Sequence, residues 1–412
     1  MHDTIIIGAG AAGLAAGQRL RAAGRTPLIL EARDRIGGRI HTDHTHGPVE
    51  LGAEFIHGER AATWEAVRAA GLRTVGWSDD RRRFASGGEI YAADDPVTSR
   101  MAALFAIATS YRGPEISVAA LIDSLVALDD PACRFALRWL ANLEAADTQL
   151  LSAAVLTHER ELATSGDTNF HILDGYDRVV VQLADGLDIR LSQAVERVAW
   201  DEASGSVTLV GGGAHAARHL IITVPVGVLQ TGRPIFTPPL PAKKRAAIDA
   251  IAVGHVIKLM LWFDHQFWPD FVVLSTDGRI VTWWTVASAA TPTLMGYVGG
   301  PAALEIAALG EQGVISIGLS ELSQLFGADA AAASLGGRIS GWSENPWSLG
   351  AYTYSPVGIG NARAILAAPV GPLHFAGEAT PTNGHIATVH GAIESGWRAA
   401  DEVLAATSRK PI

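Results

Sequence analysis

Cysteine is almost absent from this chain of 412 residues, and so are long apolar stretches. Cys133 is the only cysteine, which excludes an intramolecular disulfide and a metal site made of several thiolates. No apolar run reaches the roughly 18 residues that a membrane-spanning helix needs. The first predicted strand begins too close to Met1 for a signal peptide to precede it. These absences favour a protein of the reducing cytoplasm without a membrane anchor.

Charge is also scarce, since charged residues make up 18% of the chain. Acidic residues outnumber basic ones by 42 to 32, and the formal net charge is -10. This balance argues against nucleic acid as a partner. It either attracts cationic substrates or only keeps the protein in solution, and composition does not decide between the two. Hydrophobic residues account for 48%, which is enough for a large core divided over two or three domains.

The segment from residue 5 to 39 has the order strand, glycine turn, helix, strand and acidic residue. Gly8 permits a tight turn, Gly10 lets the backbone approach a pyrophosphate, and Gly13 lets helix and strand pack closely. Glu31 lies about 20 residues further on, at the end of the second strand, where a carboxylate can accept ribose hydroxyls. The segment therefore predicts a dinucleotide site in which a helix N-terminus faces the phosphates.

Helical and strand-like stretches alternate in blocks along the rest of the chain. Residues 78–168 carry apolar residues at helical spacing and are interpreted as a helical insertion. We predict a discontinuous α/β domain made of residues 1–77, 169–245 and 346–412. A second, α+β domain would comprise 78–168 and 246–345.

Lys258 lies within an apolar run, VIKLMLWF, that is typical of a strand. In a strand, Val256, Met260 and Trp262 share its face, so the ammonium would face an otherwise apolar surface. The residues alone leave two interpretations open. Lys258 is either functional or an edge-strand lysine that discourages aggregation.

Five separated blocks resemble those of the FAD-dependent amine oxidases, which include polyamine oxidases, monoamine oxidases and lysine-specific histone demethylases. The blocks are GAGAAGLAA with LEARDRIGGR, ELGAEFIHG, ITVPVGVL with FTPPLP, VIKLMLWF, and LHFAGEATPTNGHIATVHGAIESGWRAA. The resemblance implies a Rossmann-like FAD-binding domain of the GR2 type, interleaved with a substrate-binding domain. It also implies non-covalent FAD, because Ala351 stands where covalently flavinylated relatives carry cysteine. The protein would bind a small-molecule amine and oxygen. It would be a monomer or a homodimer.

The resemblance assigns a set of residues to the cofactor. They are Gly8, Gly10, Ala11, Ala12, Gly13, Glu31, Ala32, Arg33, Gly37, Gly38, Arg39, Gly52, Ala53, Glu54, Val198, Gly377, Glu378, Thr388 and Val389. Arg33 and Arg39 would bridge phosphate oxygens, although solvated loop arginines would look alike. Val198 would contact adenine through its backbone. Glu54 would bind backbone on the flavin side or meet a distal ammonium of the substrate.

Four residues are assigned to catalysis by the same resemblance. Lys258 would hold a water against flavin N5, and Tyr352 would lie beside the flavin. Thr388 replaces the second tyrosine of monoamine oxidases and opens a helix whose N-terminus would stabilise negative charge on the reduced flavin. His57 is either an active-site histidine or a structural one. The histidines within residues 41–46 have no acidic or cysteine partner at a useful spacing, so no metal site is predicted.

The resulting hypothesis is flavin-dependent oxidation of a polyamine-like amine or a monoamine. Hydride transfer to FAD N5 would give an imine that hydrolyses to an aldehyde or ketone plus an amine, and oxygen would reoxidise the flavin with release of hydrogen peroxide. Two alternatives are a carbon–carbon desaturase or protoporphyrinogen-oxidase-like enzyme, and a demethylase-like interaction scaffold. The sequence identifies neither the amine nor the electron acceptor.

Overall fold

The computed structural model describes residues 1–77, 82–92, 95–125, 131–327 and 329–408. The helices are α1 (Ala11–Ala22), α2 (Thr63–Ala69), α3 (Pro96–Thr109), α4 (Val118–Asp123), α5 (Pro131–Glu144), α6 (Ala153–Leu162), α7 (Asp177–Ala184), α8 (Val226–Gln230), α9 (Ala242–Ala250), α10 (Pro301–Ala307), α11 (Gly310–Phe326), α12 (Ala330–Ala333), α13 (Ala362–Ala367) and α14 (Val389–Ser408).

The strands are β1 (His2–Ile7), β2 (Leu28–Leu30), β3 (Thr42–Asp43), β4 (Val49–Glu50), β5 (Phe55–His57), β6 (Thr74–Gly76), β7 (Arg82–Ser86), β8 (Glu89–Ala92), β9 (Asn169–Ile172), β10 (Asp188–Arg190), β11 (Val195–Trp200), β12 (Gly205–Leu209), β13 (Ala214–Ile222), β14 (Ile235–Thr237), β15 (Ala252–Val253), β16 (Val256–Phe263), β17 (Val273–Thr276), β18 (Thr282–Thr285), β19 (Thr293–Gly299), β20 (Ser334–Gly341), β21 (Thr353–Tyr354) and β22 (Leu373–Phe375).

The main sheet has the strand order β10-β2-β1-β13-β12-β11-β14, with β22 also paired to β13. Strand β1 runs parallel to both β2 and β13, and β13 runs parallel to β22. Ile6 packs into a core shared with α1 and α14, whereas Ile5 and Ile7 pack into a core on the opposite face with α8 and α13. Because both faces are covered, the second half of β1, Ile5–Ile7, is apolar without alternation, whereas His2 and Asp3 at its start are only half-buried.

The second sheet has the order β20-β16-β19-β18-β17-β7-β8. Strand β16 lies between β20 and β19, so Lys258 is not on an edge strand. Leu259 and Leu261 pack toward α11 on one face. Met260 and Trp262 pack on the other face, against the loop segment that carries Leu51. Lys258 shares this second face, which lies toward the main sheet.

The predicted helical insertion is confirmed for α3 to α6 but is wrong at its start, because β7 and β8 form a hairpin that joins the second sheet. Helices α3 to α6 enclose a core that includes Leu140 and Leu156. Tyr354 of β21 packs into the same core, so the helical layer supports the segment that carries Tyr352.

Within the part of the chain that the structure describes, no single helix is long and apolar enough to cross a membrane. One bent pair, α10 with α11, meets those criteria by length and composition only.

Candidate functional site

A cavity of about 550 Å³ lies between the glycine turn of the main sheet and the second sheet. Its volume falls within the range of roughly 300–1,000 Å³ that is usual for small-molecule sites. Most residues assigned to the cofactor line it, namely Gly8, Gly10, Ala11, Ala12, Glu31, Ala32, Arg33, Gly37, Gly38, Arg39, Gly52, Ala53, Gly377, Glu378, Thr388 and Val389. Lys258 and Tyr352 line it as well, so the separated sequence blocks meet at one cavity.

The glycine turn is shaped as its sequence predicts. Gly8 has a φ of +110°, which favours glycine. At Gly13 a Cβ atom would lie 2.0 Å from the Gly8 carbonyl oxygen, so only glycine lets α1 pack against the turn. Gly13 therefore shapes the site without lining the cavity. At Gly10 a Cβ atom would meet no protein atom within 4 Å and would project into the space that a ligand needs.

Glu31 lies at the end of β2 and is held by two backbone donors. Its Oε2 accepts from Ala9 N at 2.7 Å, and its Oε1 accepts from Arg33 N at 2.9 Å. The carboxylate is thus fixed at the cavity wall, as a ribose-binding group must be.

Arg33 contacts Asn345, whose Oδ1 accepts from Nη2 at 2.9 Å. Its Nε is buried and has no hydrogen-bond partner among the described residues. Desolvation lowers the pKa of Arg33 to about 10, so the guanidinium stays charged at neutral pH. A buried, charged donor without a partner at the cavity wall fits an anionic group such as a phosphate.

Arg39 and Glu378 connect two loops at the cavity wall. Arg39 Nη1 donates to the Ala351 carbonyl at 2.5 Å and to Glu378 Oε1 at 3.0 Å. Glu378 Oε2 accepts from the Thr353 hydroxyl at 2.8 Å. These bonds orient the segment on either side of Tyr352 and leave little of the Glu378 carboxylate free for a ligand.

Lys258 does not face a purely apolar surface, so that expectation was wrong. Its Nζ lies 2.5 Å from Glu54 Oε2 and donates to the Glu50 carbonyl at 3.0 Å. Glu54 is a buried counter-ion of Lys258 and does not line the cavity, which contradicts its assignment to the cofactor. Its other oxygen, Oε1, accepts from Trp284 Nε1 at 2.8 Å.

Tyr352 belongs to a pair of tyrosines that sequence reasoning missed. Its hydroxyl lies 2.8 Å from that of Tyr297 and donates to the Leu143 carbonyl at 2.8 Å, so Tyr297 donates to Tyr352. Tyr297 also lines the cavity and pairs directly with Lys258 across β16 and β19. Burial raises the pKa of both hydroxyls, and the Glu144 carboxylate raises it further, so both are neutral at pH 7.

His57 does not line the cavity, and its side chain is exposed. Its Nδ1 is 2.7 Å from Asn169 Oδ1. Desolvation lowers the pKa of His57, while the bond to Asn169 and the charge of Glu144 raise it. Glu144 directly follows Leu143, whose carbonyl accepts from Tyr352, and it forms an ion pair with Arg160 at 2.9 Å. Glu144 was not predicted from the sequence, because it lies in α5, whose apolar pattern is typical of a core helix.

Thr388 caps α14 at the cavity wall. Its hydroxyl accepts from Gly391 N at 3.0 Å and donates to the His385 carbonyl at 2.8 Å. Because the hydroxyl is used in the cap, Thr388 acts by presenting the helix N-terminus, whose partial positive charge favours anionic groups. Val389 and Ala392 of the first helical turn also line the cavity.

Val198 is placed differently from its assignment. It is fully buried in the main core and does not line the cavity, whereas Val195 and Glu196 of the same strand do. Trp347 lines the cavity, and Trp284 is a core residue. Among the residues described, no group of three or more histidine, cysteine or acidic side chains could hold a metal ion.

Comparisons with known proteins identify the family of this chain. The family model for flavin containing amine oxidoreductase matches residues 11–105 and 121–404. Polyamine oxidase 4 of Oryza sativa subsp. japonica is 31% identical over 436 residues, which cover 97% of this chain and 88% of that protein. Lysine-specific histone demethylase 1B of Mus musculus is 29% identical, and the match covers 98% of this chain and 53% of the demethylase.

Solved structures show the same fold. Cyclohexylamine oxidase from Brevibacterium oxydans IH-35A has a TM-score of 0.85 at 25% identity, covering 99% of this chain and 100% of that one. Putrescine oxidase bound to putrescine has a TM-score of 0.84 at 24% identity, covering 98% and 99%. The architecture is therefore the mixed α/β fold of these oxidases.

Proposed function

The chain belongs to the flavin-containing amine oxidoreductases, and we propose that it oxidises polyamine-like amines, or simpler amines, with oxygen as electron acceptor. The observation that carries this proposal is one cavity that joins the dinucleotide turn to Lys258 and the tyrosine pair. FAD, when bound, accepts a hydride from the carbon beside the amine nitrogen and passes the electrons to oxygen, giving hydrogen peroxide.

The residues of the cavity fit this cofactor at the adenosine end. Glu31 would bind the ribose, Arg33 would supply its unused donor to the pyrophosphate, and Gly10 leaves room for the backbone to approach it. The N-terminus of α14 would favour negative charge on the reduced ring system. Cys133 is buried in the helical core away from the cavity, which supports non-covalent binding.

We also propose that the cofactor domain is Rossmann-like, of the GR2 type, and discontinuous. Strands β1, β13 and β22 come from the three predicted pieces 1–77, 169–245 and 346–412, and they lie side by side in one parallel arrangement. Strands of the pieces 78–168 and 246–345 pair with one another in the second sheet.

The substrate side suits an alkylamine that carries a second positive charge. The rings of Tyr297 and Tyr352 give an apolar wall, and both hydroxyls are engaged, so neither is a free base. Glu144 does not line the cavity, but its charge acts on both tyrosines and can attract a distal ammonium, and Arg160 partly neutralises it. This charge favours diamines and polyamines over monoamines.

A direct test mixes the FAD-loaded protein anaerobically with mono-, di- and polyamines and follows the absorbance of the oxidised flavin. Bleaching by amines, followed by peroxide release when oxygen is admitted, is expected. If no amine bleaches the flavin, the proposed function is contradicted. Bleaching by a carbocyclic substrate alone would instead favour the desaturase alternative.

The contribution of Glu144 can be measured in the same assay. Glu144→Gln should lower kcat/KM for a diamine by about tenfold, equivalent to about 1.4 kcal/mol, and leave a monoamine unaffected. Glu161→Gln is a matched control, because Glu161 is exposed and pairs with Arg112 at the surface. An equal loss for both amines would show that Glu144 does not recognise a second charge.

A further inference from the structure

The ammonium of Lys258 uses two of its three N–H donors in bonds to Glu54 and Glu50. Its Nζ carries three N–H groups. One is directed to Glu54 Oε2 at 2.5 Å and a second to the Glu50 carbonyl at 3.0 Å. Since Lys258 also lines the cavity, one N–H group is left for a molecule inside it.

Glu54 is held on both of its oxygens. Trp284 Nε1 donates to Oε1 at 2.8 Å, and His171 Nδ1 lies 3.4 Å from the same oxygen. The Glu54 side chain is 3% exposed, and it does not reach the cavity. The Trp284 ring centroid also lies 5.6 Å from Lys258 Nζ, which adds a cation–π attraction. The carboxylate is therefore fixed behind the lysine, on the side away from the ligand.

The ionisable groups around this pair are neutral at pH 7. Desolvation raises the pKa of Glu50, on β4, to about 8. Desolvation lowers the pKa of His171, on β9, and raises that of Tyr297, on β19. Among these neighbours, Glu54 is thus the group whose negative charge can balance Lys258 at neutral pH.

We propose that Glu54 is the positioning residue of Lys258: it keeps the ammonium charged and turns a single N–H group toward the cavity. The inference rests on the proposed function, in which Lys258 assists the flavin chemistry. Glu54 itself touches neither substrate nor cofactor and acts through Lys258. A buried lysine without a counter-charge would favour its neutral form.

The charge of Lys258 can be read directly, because the chain contains four lysines, Lys243, Lys244, Lys258 and Lys410. Protein labelled with ¹³C-lysine should therefore give few Cε signals, and Lys258→Met assigns the one of interest. At pH 7.5 the Lys258 signal should have the ammonium shift in the wild type and move to the neutral-amine shift in Glu54→Gln. Trp284→Phe removes a donor to Glu54 but keeps the pair, so it should leave the signal in place.

Turnover gives an independent readout. Lys258→Met should slow either flavin reduction or flavin reoxidation, and Glu54→Gln should slow the same step by at least about tenfold. The double variant should be no slower than Lys258→Met alone. Additive losses would show that Glu54 acts separately from Lys258 and would overturn the proposal. An unmoved Lys258 signal in Glu54→Gln would also overturn it, whether or not any amine is oxidised. If no amine is oxidised but the signal moves, the proposed function fails and the pairing stands.

Glu54→Asp provides a second test if Glu54→Gln does not fold. The shorter side chain keeps the negative charge but withdraws it by one methylene group. The Lys258 signal should then keep the ammonium shift while the flavin step slows. A neutral-amine signal in Glu54→Asp, or a wild-type rate, would overturn the positioning role.

Discussion

Arg363 is a buried cation outside the cavity whose removal should be costly. It is 6% exposed and donates to the Ser355 hydroxyl at 3.0 Å and to the Thr353 hydroxyl and Ala379 carbonyl at 3.1 Å. It also lies 3.4 Å from a carboxylate oxygen of Glu159. Arg363 thus connects the helical layer to the loop segment that carries Tyr352.

Arg363→Met should destabilise the protein by about 3 kcal/mol. Removing one partner of a buried ion pair costs about 3–5 kcal/mol, because the remaining charge stays buried. The low end applies here, since the Glu159 side chain is 15% exposed and still accepts from Ser355 at 2.6 Å. Replacing Glu159 by Gln in the same protein removes the unpaired charge. The double variant should therefore recover most of the loss.

The loss of stability in Arg363→Met should depend on pH. Desolvation raises the pKa of Glu159 above its ordinary value, and Arg363 opposes that rise. A carboxyl with a raised folded pKa contributes stability below its unfolded pKa and loses it as the pH rises through the folded value. Without Arg363 the folded pKa rises further. The difference in free energy of unfolding between Arg363→Met and the wild type should therefore be larger at pH 8 than at pH 5.

Urea unfolding at both pH values, at equal FAD saturation, measures these effects. Arg112→Met is a matched control, because the Arg112–Glu161 pair is exposed and should change the free energy of unfolding by less than about 1 kcal/mol. A loss that is the same at pH 5 and pH 8, or that Glu159→Gln does not relieve, would refute the reasoning.

Three further predictions follow from the cavity. Gly13→Ala should abolish FAD retention, measured by flavin absorbance after gel filtration, because its Cβ would lie 2.0 Å from the Gly8 carbonyl oxygen; normal flavin content would contradict this. Tyr352→Phe should lower the free energy of unfolding more than Tyr297→Phe, because it leaves the Tyr297 donor and the Leu143 carbonyl unpaired instead of one acceptor. The difference should stay below about 1 kcal/mol, since water can reach the exposed carbonyl, and equal losses would argue against the assigned direction of donation. The rate of flavin reduction should rise with pH through the titration of the bound amine, because the engaged tyrosine hydroxyls provide no base, and a falling rate would contradict this.

Local chemistry made part of the site predictable from the sequence. Gly8, Gly13 and Glu31 lie within one short segment, where turn conformation and strand ends decide the geometry. The structure shows the turn at Gly8, the close packing at Gly13 and the fixed carboxylate of Glu31 at the end of β2. The strand that carries Lys258 was predicted correctly as well, because Lys258 is the one polar residue in its run of apolar residues.

The missed features all depend on long-range register. Glu54 lies 204 positions from Lys258, and no periodicity in either segment reveals that the two side chains meet. Tyr297 pairs with Lys258 only through the register of β16 and β19, which the sequence of one strand cannot specify. Val198 and Val195 lie in the same strand, and the depth of that strand below the cavity decided which of them reaches it.

The contact between α1 and α14 has a consequence for synthesis. A Cβ atom on Gly396 would lie 2.2 Å from the Ala12 carbonyl oxygen, so the last helix packs backbone to backbone against the first. Strand β22, residues 373–375, joins the main sheet by pairing with β13. During translation the glycine turn is therefore made well before the residues 373–396 that provide these contacts. Ribosome-bound chains that stop before β22 should be unable to retain the flavin.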